Sequence, residues 1–200
     1  MSGKRSSGTA GRILDIAEGL VQVRGFNAFS YADVALAVGI QKASLHHHFA
    51  TKADLGCALV GRYRLAFLKS LRAIEADTDD AKERLRRYAG LYGAVLRRKR
   101  MCLCGMLASD VATLPKAMRE SIAEFFAENQ AWLARVLERG GKRGEIRFEG
   151  SAVSMAAFFL SSLEGAMLVA RGTGVLEQFD EVARRLLASV RPAKARTKRR

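Results

Sequence analysis

Residues 41–48 hold the side chains whose chemistry is easiest to name: Gln41, Lys42, Ala43, Ser44, His46 and His47. An amide, a hydroxyl, imidazoles, one cation and a methyl match the donors, acceptors and thymine methyls displayed in a DNA major groove. Leu45 and Phe49, four apart, would anchor these residues as a short helix with its polar side outward. The run His46-His47-His48 is no metal site, because consecutive helical residues point about 100° apart and three imidazoles cannot converge on one ion. No metal and no cofactor are therefore expected. A second chemistry-bearing group is Cys102 and Cys104, which follow Arg97, Arg98, Lys99 and Arg100. Nearby cations favour thiolate and hence reactivity. The two thiols are too close in sequence for an unstrained disulfide within a helix.

The elements that must position residues 41–48 are legible upstream. Tyr31, Val34, Ala35 and Val38 recur at helical spacing, and Gly39 stands where that helix must stop and turn into the left-handed region. Ile40 would plug back into the core. The pattern is a helix-turn-helix, with Ser30 the N-cap of its first helix. Before it, Thr9 to Arg24 forms an amphipathic helix ending at Gly25. After it, Thr51 caps a long helix striped by Leu55, Leu59, Tyr63, Phe67, Leu71 and Ile74. No segment alternates with period two for long enough to suggest a sheet. The expected fold is all-α, with about nine helices: an N-terminal three-helix DNA-binding domain joined to a C-terminal helical bundle. Residues 1–8 would be a flexible basic arm, 9–54 the helix-turn-helix domain, 55–190 the bundle, and 191–200 a disordered basic tail.

A net charge of +14 points to polyanionic partners, double-stranded DNA first among them. Removing the six cations of RPAKARTKRR still leaves +8, so the body of the chain is itself basic. Three cysteines do not make a disulfide framework. The N-terminus lacks a signal-like apolar run, and the most apolar stretch, Ala152 to Leu163, is stopped by Glu164 well short of a bilayer span. A soluble cytoplasmic protein without a membrane partner is expected.

From Gly25-Phe26 through SYADVALAVGIQKASLHHHFATKADL, the chain resembles the TetR family of bacterial transcriptional regulators. That family's recognition helix reads lysine, small, small, apolar, aromatic, then polar and aromatic residues before a phenylalanine. Lys42 to Phe49 fill those places. Two departures stand out: His46 occupies a position where tyrosine is commoner, and Phe29 one where a hydroxyl residue is frequent. Ser30 and Tyr31 could supply the missing phosphate contact.

The resemblance implies a repressor that binds a palindromic operator as a homodimer and is released by an apolar or electrophilic small molecule. Lys42 and Lys52 would touch phosphates, while Gln41, Ala43, Ser44, His46 and His47 face the DNA. The dimer surface would be Ala152, Met155, Ala156, Phe159, Leu160, Leu163 and Ala166 on the most apolar helix. Effector walls would come from Met101, Cys102, Leu103, Met106, Phe125, Phe126, Trp132, Phe158 and Glu164, the last as partner to a cationic group. Cys102 and Cys104 are redox candidates, because some relatives that respond to electrophiles carry a similar Gly-Cys-Leu-x-Gly stretch. The competing readings are a thiol-dependent enzyme using Cys102 or Cys104, and a non-specific DNA-binding protein driven by the basic tail. The chain is expected not to be an enzyme: all three histidines lie in the recognition helix, away from either thiol.

Overall fold

Capping chemistry fixes where several helices begin in the computed structural model, which describes residues 8–192. The first helix, α1 (Thr9–Arg24), buries Ile13, Ala17 and Val21 at four-residue spacing and stops at Gly25. Helix α2 (Tyr31–Val38) opens on a reciprocal cap: the Asp33 amide donates to Ser30 Oγ at 3.3 Å, and the Ser30 amide donates to Asp33 Oδ2 at 2.6 Å. After α3 (Lys42–His48), α4 (Lys52–Asp77) repeats the device through Thr51 and Asp54. Asp80 caps α5 (Ala81–Leu96) by accepting from the Glu83 amide at 2.6 Å. Helix α6 (Leu103–Ser109) and a 3-10 turn at Val111–Thr113 lead to Pro115, which suits the entry to α7 (Lys116–Lys142). Ser151 caps α8 (Ala152–Thr173), and α9 (Glu177–Ser189) follows the left-handed Gly174. The described residues are thus all-α, with nine α-helices as the periodicity predicts.

A two-residue ribbon is the exception. Strand β1 (Ile146–Arg147) pairs antiparallel with β2 (Arg191–Pro192). Two residues are too few to leave a period-two signal, so sequence reading had no access to it. Arg191 and Pro192 therefore belong to a paired strand rather than to a disordered tail. The rest of that tail, 193–200, and residues 1–7 of the expected arm lie outside the described residues.

The chain divides into two compact units that do not follow the expected boundary after residue 54. One comprises the described residues of Met1–Phe67 with Lys99–Phe126; the other comprises those of Leu68–Arg98 with Ala127–Arg200. In the first, Ile13, Ala17, Val34, Leu45, Leu55, Leu59, Leu103 and Met118 form the core. Gly56 is required for close approach there: a Cβ would lie 2.5 Å from Met118 Sδ and 3.0 Å from the Phe26 ring. The α6 segment is tied to the end of α1 along its length. Met101 N donates to Gln22 O at 3.1 Å, Phe26 N to Asp110 Oδ2 at 2.9 Å, and Asn27 Nδ2 to Thr113 Oγ1 at 2.9 Å.

In the second unit, buried Arg84 satisfies the end of α4. It donates to the carbonyls of Thr78 (2.6 Å) and Glu75 (3.0 Å) and to Asp79 Oδ1 (3.0 Å). Tyr88, Tyr92, Asn129 and Trp132 form a buried polar-aromatic cluster, Tyr88 stacked on Trp132 and donating to Asn129 Oδ1 at 3.1 Å.

Helix α8 corrects two expectations. Glu164 interrupts the apolar stretch without ending it: the helix runs to Thr173, and among the described residues it is one helix long and apolar enough to cross a membrane by length and composition. Its strongest stripe is also not a free surface. Met155, Ala156, Phe159, Leu160, Leu163 and Ala166 are all buried within the chain, and Ala152 is partly so. The most apolar face is the one the subunit's own core claims. The opposite face, with Phe158, Ser161, Gly165, Leu168 and Val169, is the exposed one.

Candidate nucleic-acid interface

Helix α3 buries a single side chain. Leu45 is fully buried, whereas Gln41, Lys42, Ala43, Ser44, His46, His47 and His48 are exposed and Phe49 is half-buried. A seven-residue helix with one buried anchor has little intrinsic stability, so its surroundings must hold it. Gly39 makes the turn at φ 76, ψ 39, and the amides of Gly39 and Ile40 both return to Ala35 O at 3.0 Å. Ile40 is half-buried, not a full core plug. At the far end, Tyr31 donates its hydroxyl to Phe49 O at 2.9 Å, and His46 Nδ1 approaches Ala50 O at 3.1 Å, as a donor in the tautomer that bond selects. The Tyr31 and His46 rings lie 4.8 Å apart.

These bonds sort the DNA-facing residues expected from sequence. Gln41, Lys42, Ala43, Ser44 and His47 project from one exposed surface, and no side-chain cap bond occupies Gln41. His46 is exposed too, but one ring nitrogen is committed to Ala50. Ser30 is exposed with its hydroxyl donating to Asp33 Oδ2 at 2.8 Å; its amide bond first, and this hydroxyl bond second, hold the Asp33 carboxyl below its usual range. Tyr31 is buried, and that burial, with the charge of Asp54, pushes its phenol up to about 12. It positions α3 and is not a free phosphate donor.

Lys52 is the clear correction. Its ammonium donates to Phe29 O at 2.5 Å and sits 4.7 Å and 4.3 Å from the centroids of Phe26 and Phe29, which meet edge to face. Burial lowers its pKa, while Asp110 and Asp33 act in the opposite sense. Lys52 therefore clamps the α1–α2 connection from inside. Phe29, where a hydroxyl was the commoner choice, supplies this clamp with a ring and a carbonyl. Asp110, which accepts from Phe26 N, escaped sequence reading altogether; nothing local marks a carboxylate whose partner is 84 positions away.

Residues 13–58 match the family model of tetR-family bacterial regulatory proteins, and 81–186 match that of the tetracyclin repressor-like C-terminal domain. The chain belongs to the TetR family. It is a DNA-binding transcriptional regulator. A TetR-family regulator from Agrobacterium tumefaciens is 36% identical, with TM-score 0.88 over 91% of this chain and 97% of that one. The transcriptional regulator AcuR of Cereibacter sphaeroides is 26% identical over 74% of this chain and 69% of its own length. The reduced form of Escherichia coli NemR shares the fold at TM-score 0.83 and 22% identity, over 94% of this chain and 100% of that one.

The expected effector walls of this TetR-family chain fall on both units. In the first, Met101, Cys102, Leu103 and Phe125 are buried and Met106 and Phe126 half-buried. Phe125 lies 5.6 Å from Tyr63, 5.2 Å from Phe67 and 5.4 Å from Phe126, measured between ring centroids. In the second, Trp132 is buried, Glu164 is half-buried, and Phe158 is 52% exposed, so Phe158 faces outward and is no interior wall.

Cys102 and Cys104 are free thiols, both buried, with the Tyr63 hydroxyl 3.8 Å from Cys102 Sγ. The four cations preceding them in sequence are exposed, and two of them turn to other groups. Arg97 pairs with Asp180 at 3.1 Å, and Arg100 reaches Gln22 Oε1 at 3.5 Å.

Proposed function

We propose that this regulator is a repressor that binds a palindromic operator as a homodimer and leaves it when a small apolar or electrophilic molecule occupies its helical bundle. The observation that carries the reading is α3 itself, which buries Leu45 alone and leaves Gln41, Lys42, Ala43, Ser44 and His47 exposed. One such helix offers few base contacts, so affinity must be multiplied by symmetry. Half-sites about one helical turn, roughly 34–36 Å, apart suit a two-fold dimer. The surface available to the second copy is the exposed face of α8, where Ser161 and Gly165 permit close approach beside Phe158, Leu168 and Val169. Release would follow if an effector favours a dimer with a different spacing of recognition helices, and α4, continuous through both units, is the element suited to carry that change.

Random-site selection with the full chain tests this reading. An inverted repeat should emerge, and affinity for it should fall when an effector binds. Recovery of sequence-independent duplexes would refute it in favour of tail-driven binding. Deleting residues 193–200 separates the two further: sequence preference should persist with a shallower salt dependence. Turnover of an electrophilic substrate that disappears in Cys102→Ser would instead support the enzyme reading.

A further inference from the structure

The ribbon between β1 and β2 sets Arg147 directly opposite Arg191. Like charges placed opposite each other across an antiparallel pair oppose the pairing. Both arginines are exposed, and neither takes part in an ion pair among the described residues, although neighbouring Arg143 closes on Glu145 at 2.7 Å. Arg147 and Arg191 both line a cavity of about 430 Å³. Phe148, Met155 and Phe158 supply its apolar wall, and Glu149 is its one carboxylate. Ser189 also lines it, its hydroxyl committed to Leu186 O at 2.6 Å. Recognition of a polar group therefore falls to the two arginines, which outnumber Glu149. The sequence after Pro192 carries five cations and no anion, so by charge it is unsuited to neutralise them.

We propose that this cavity binds an amphipathic organic anion. A carboxylate or phosphate monoester would accept hydrogen bonds from the paired guanidinium forks of Arg147 and Arg191, while an apolar body lies against Phe148, Met155 and Phe158. The volume falls in the range of small-molecule sites, and planar guanidinium groups match both head groups bidentately. The site is remote in sequence from α3, and it shares Phe158 with the effector walls named above and with the edge of the α8 face proposed for a second copy. It does not rest on the repressor reading.

Calorimetric titration of the full chain with 1-naphthaleneacetate, 1-naphthyl phosphate and the neutral 1-naphthalenemethanol tests the proposal. At least one anion should bind with Kd below about 1 mM and bind about tenfold or more tightly than the alcohol. Preference for the carboxylate or for the phosphate supports the proposal either way and identifies the head group. Arg147→Ala with Arg191→Ala should weaken the anion about tenfold or more, while Lys42→Ala leaves it unchanged. The paired Lys substitutions guard against loss of the ribbon, retaining charge and partial affinity. Equal binding of anion and alcohol, binding indifferent to the double Ala variant, or no binding because a second copy covers the cavity would each overturn it.

Discussion

At the residue scale, the two lysines assigned to phosphate part company. Lys42 is exposed at the start of α3, whereas Lys52 is drawn between two phenylalanine rings and a carbonyl. Lys42→Ala should weaken operator binding about equally for all sequences and reduce the salt slope by about 1, read from affinity against salt concentration. Lys52→Ala should leave that slope unchanged but lower unfolding free energy by about 1–2 kcal/mol, read by denaturant titration. Tyr31 offers a pH test. Its phenol is held at about 12, chiefly by burial, above the ordinary 10.0. Stability it contributes is complete below pH 10 and is lost as pH rises through 12. The ultraviolet difference titration between the native chain and Tyr31→Phe should show this one phenol ionising late; ionisation near 10 would contradict the burial.

At the element scale, the helix-turn-helix depends on one left-handed residue and on ties from a distant segment. A Cβ at Gly39 would meet no atom within 4 Å, so Gly39→Ala should cost only the backbone strain, about 1–2 kcal/mol. Gly56→Ala meets Met118 and Phe26 directly, and its cost, about 1–3 kcal/mol, should come from overpacking instead. Thermal melts of both variants, with Gly39→Asn as a milder left-handed replacement, separate the two causes. Asp110→Ala would strand the Phe26 amide and loosen the α1–α2 connection. The expected loss is about 1–3 kcal/mol, with faster hydrogen exchange in residues 25–30 than in α8. The caps at Ser30 and Thr51 and the turn at Gly39 were legible in sequence because each is a local motif with its partner three or four residues away. The tie from Asp110 was illegible, since its partner lies far along the chain.

For the whole molecule, α8 is where periodicity and surface diverge. Its apolar stripe is visible in sequence, but hydrophobicity alone does not say whether a neighbour in the same subunit or a second copy covers it. The subunit takes Met155, Phe159 and Leu163. The face proposed above for a second copy is the opposite one, where Leu168 is 60% and Val169 56% exposed. Leu168→Glu with Val169→Glu should therefore convert a dimer to monomers in sedimentation without lowering the melting temperature of the subunit. A dimer that survives both charges would place the interface elsewhere.

Local chemistry along the chain determined the all-α class, the bend before residue 41 and the outward set around Leu45, because caps, turns and helical period are written within a few residues of where they act. Only tertiary structure decided that Lys52 points inward, that Phe158 points outward and that Arg147 faces Arg191. Each of those outcomes depends on which distant segment arrives alongside, and packing, not local preference, makes that choice.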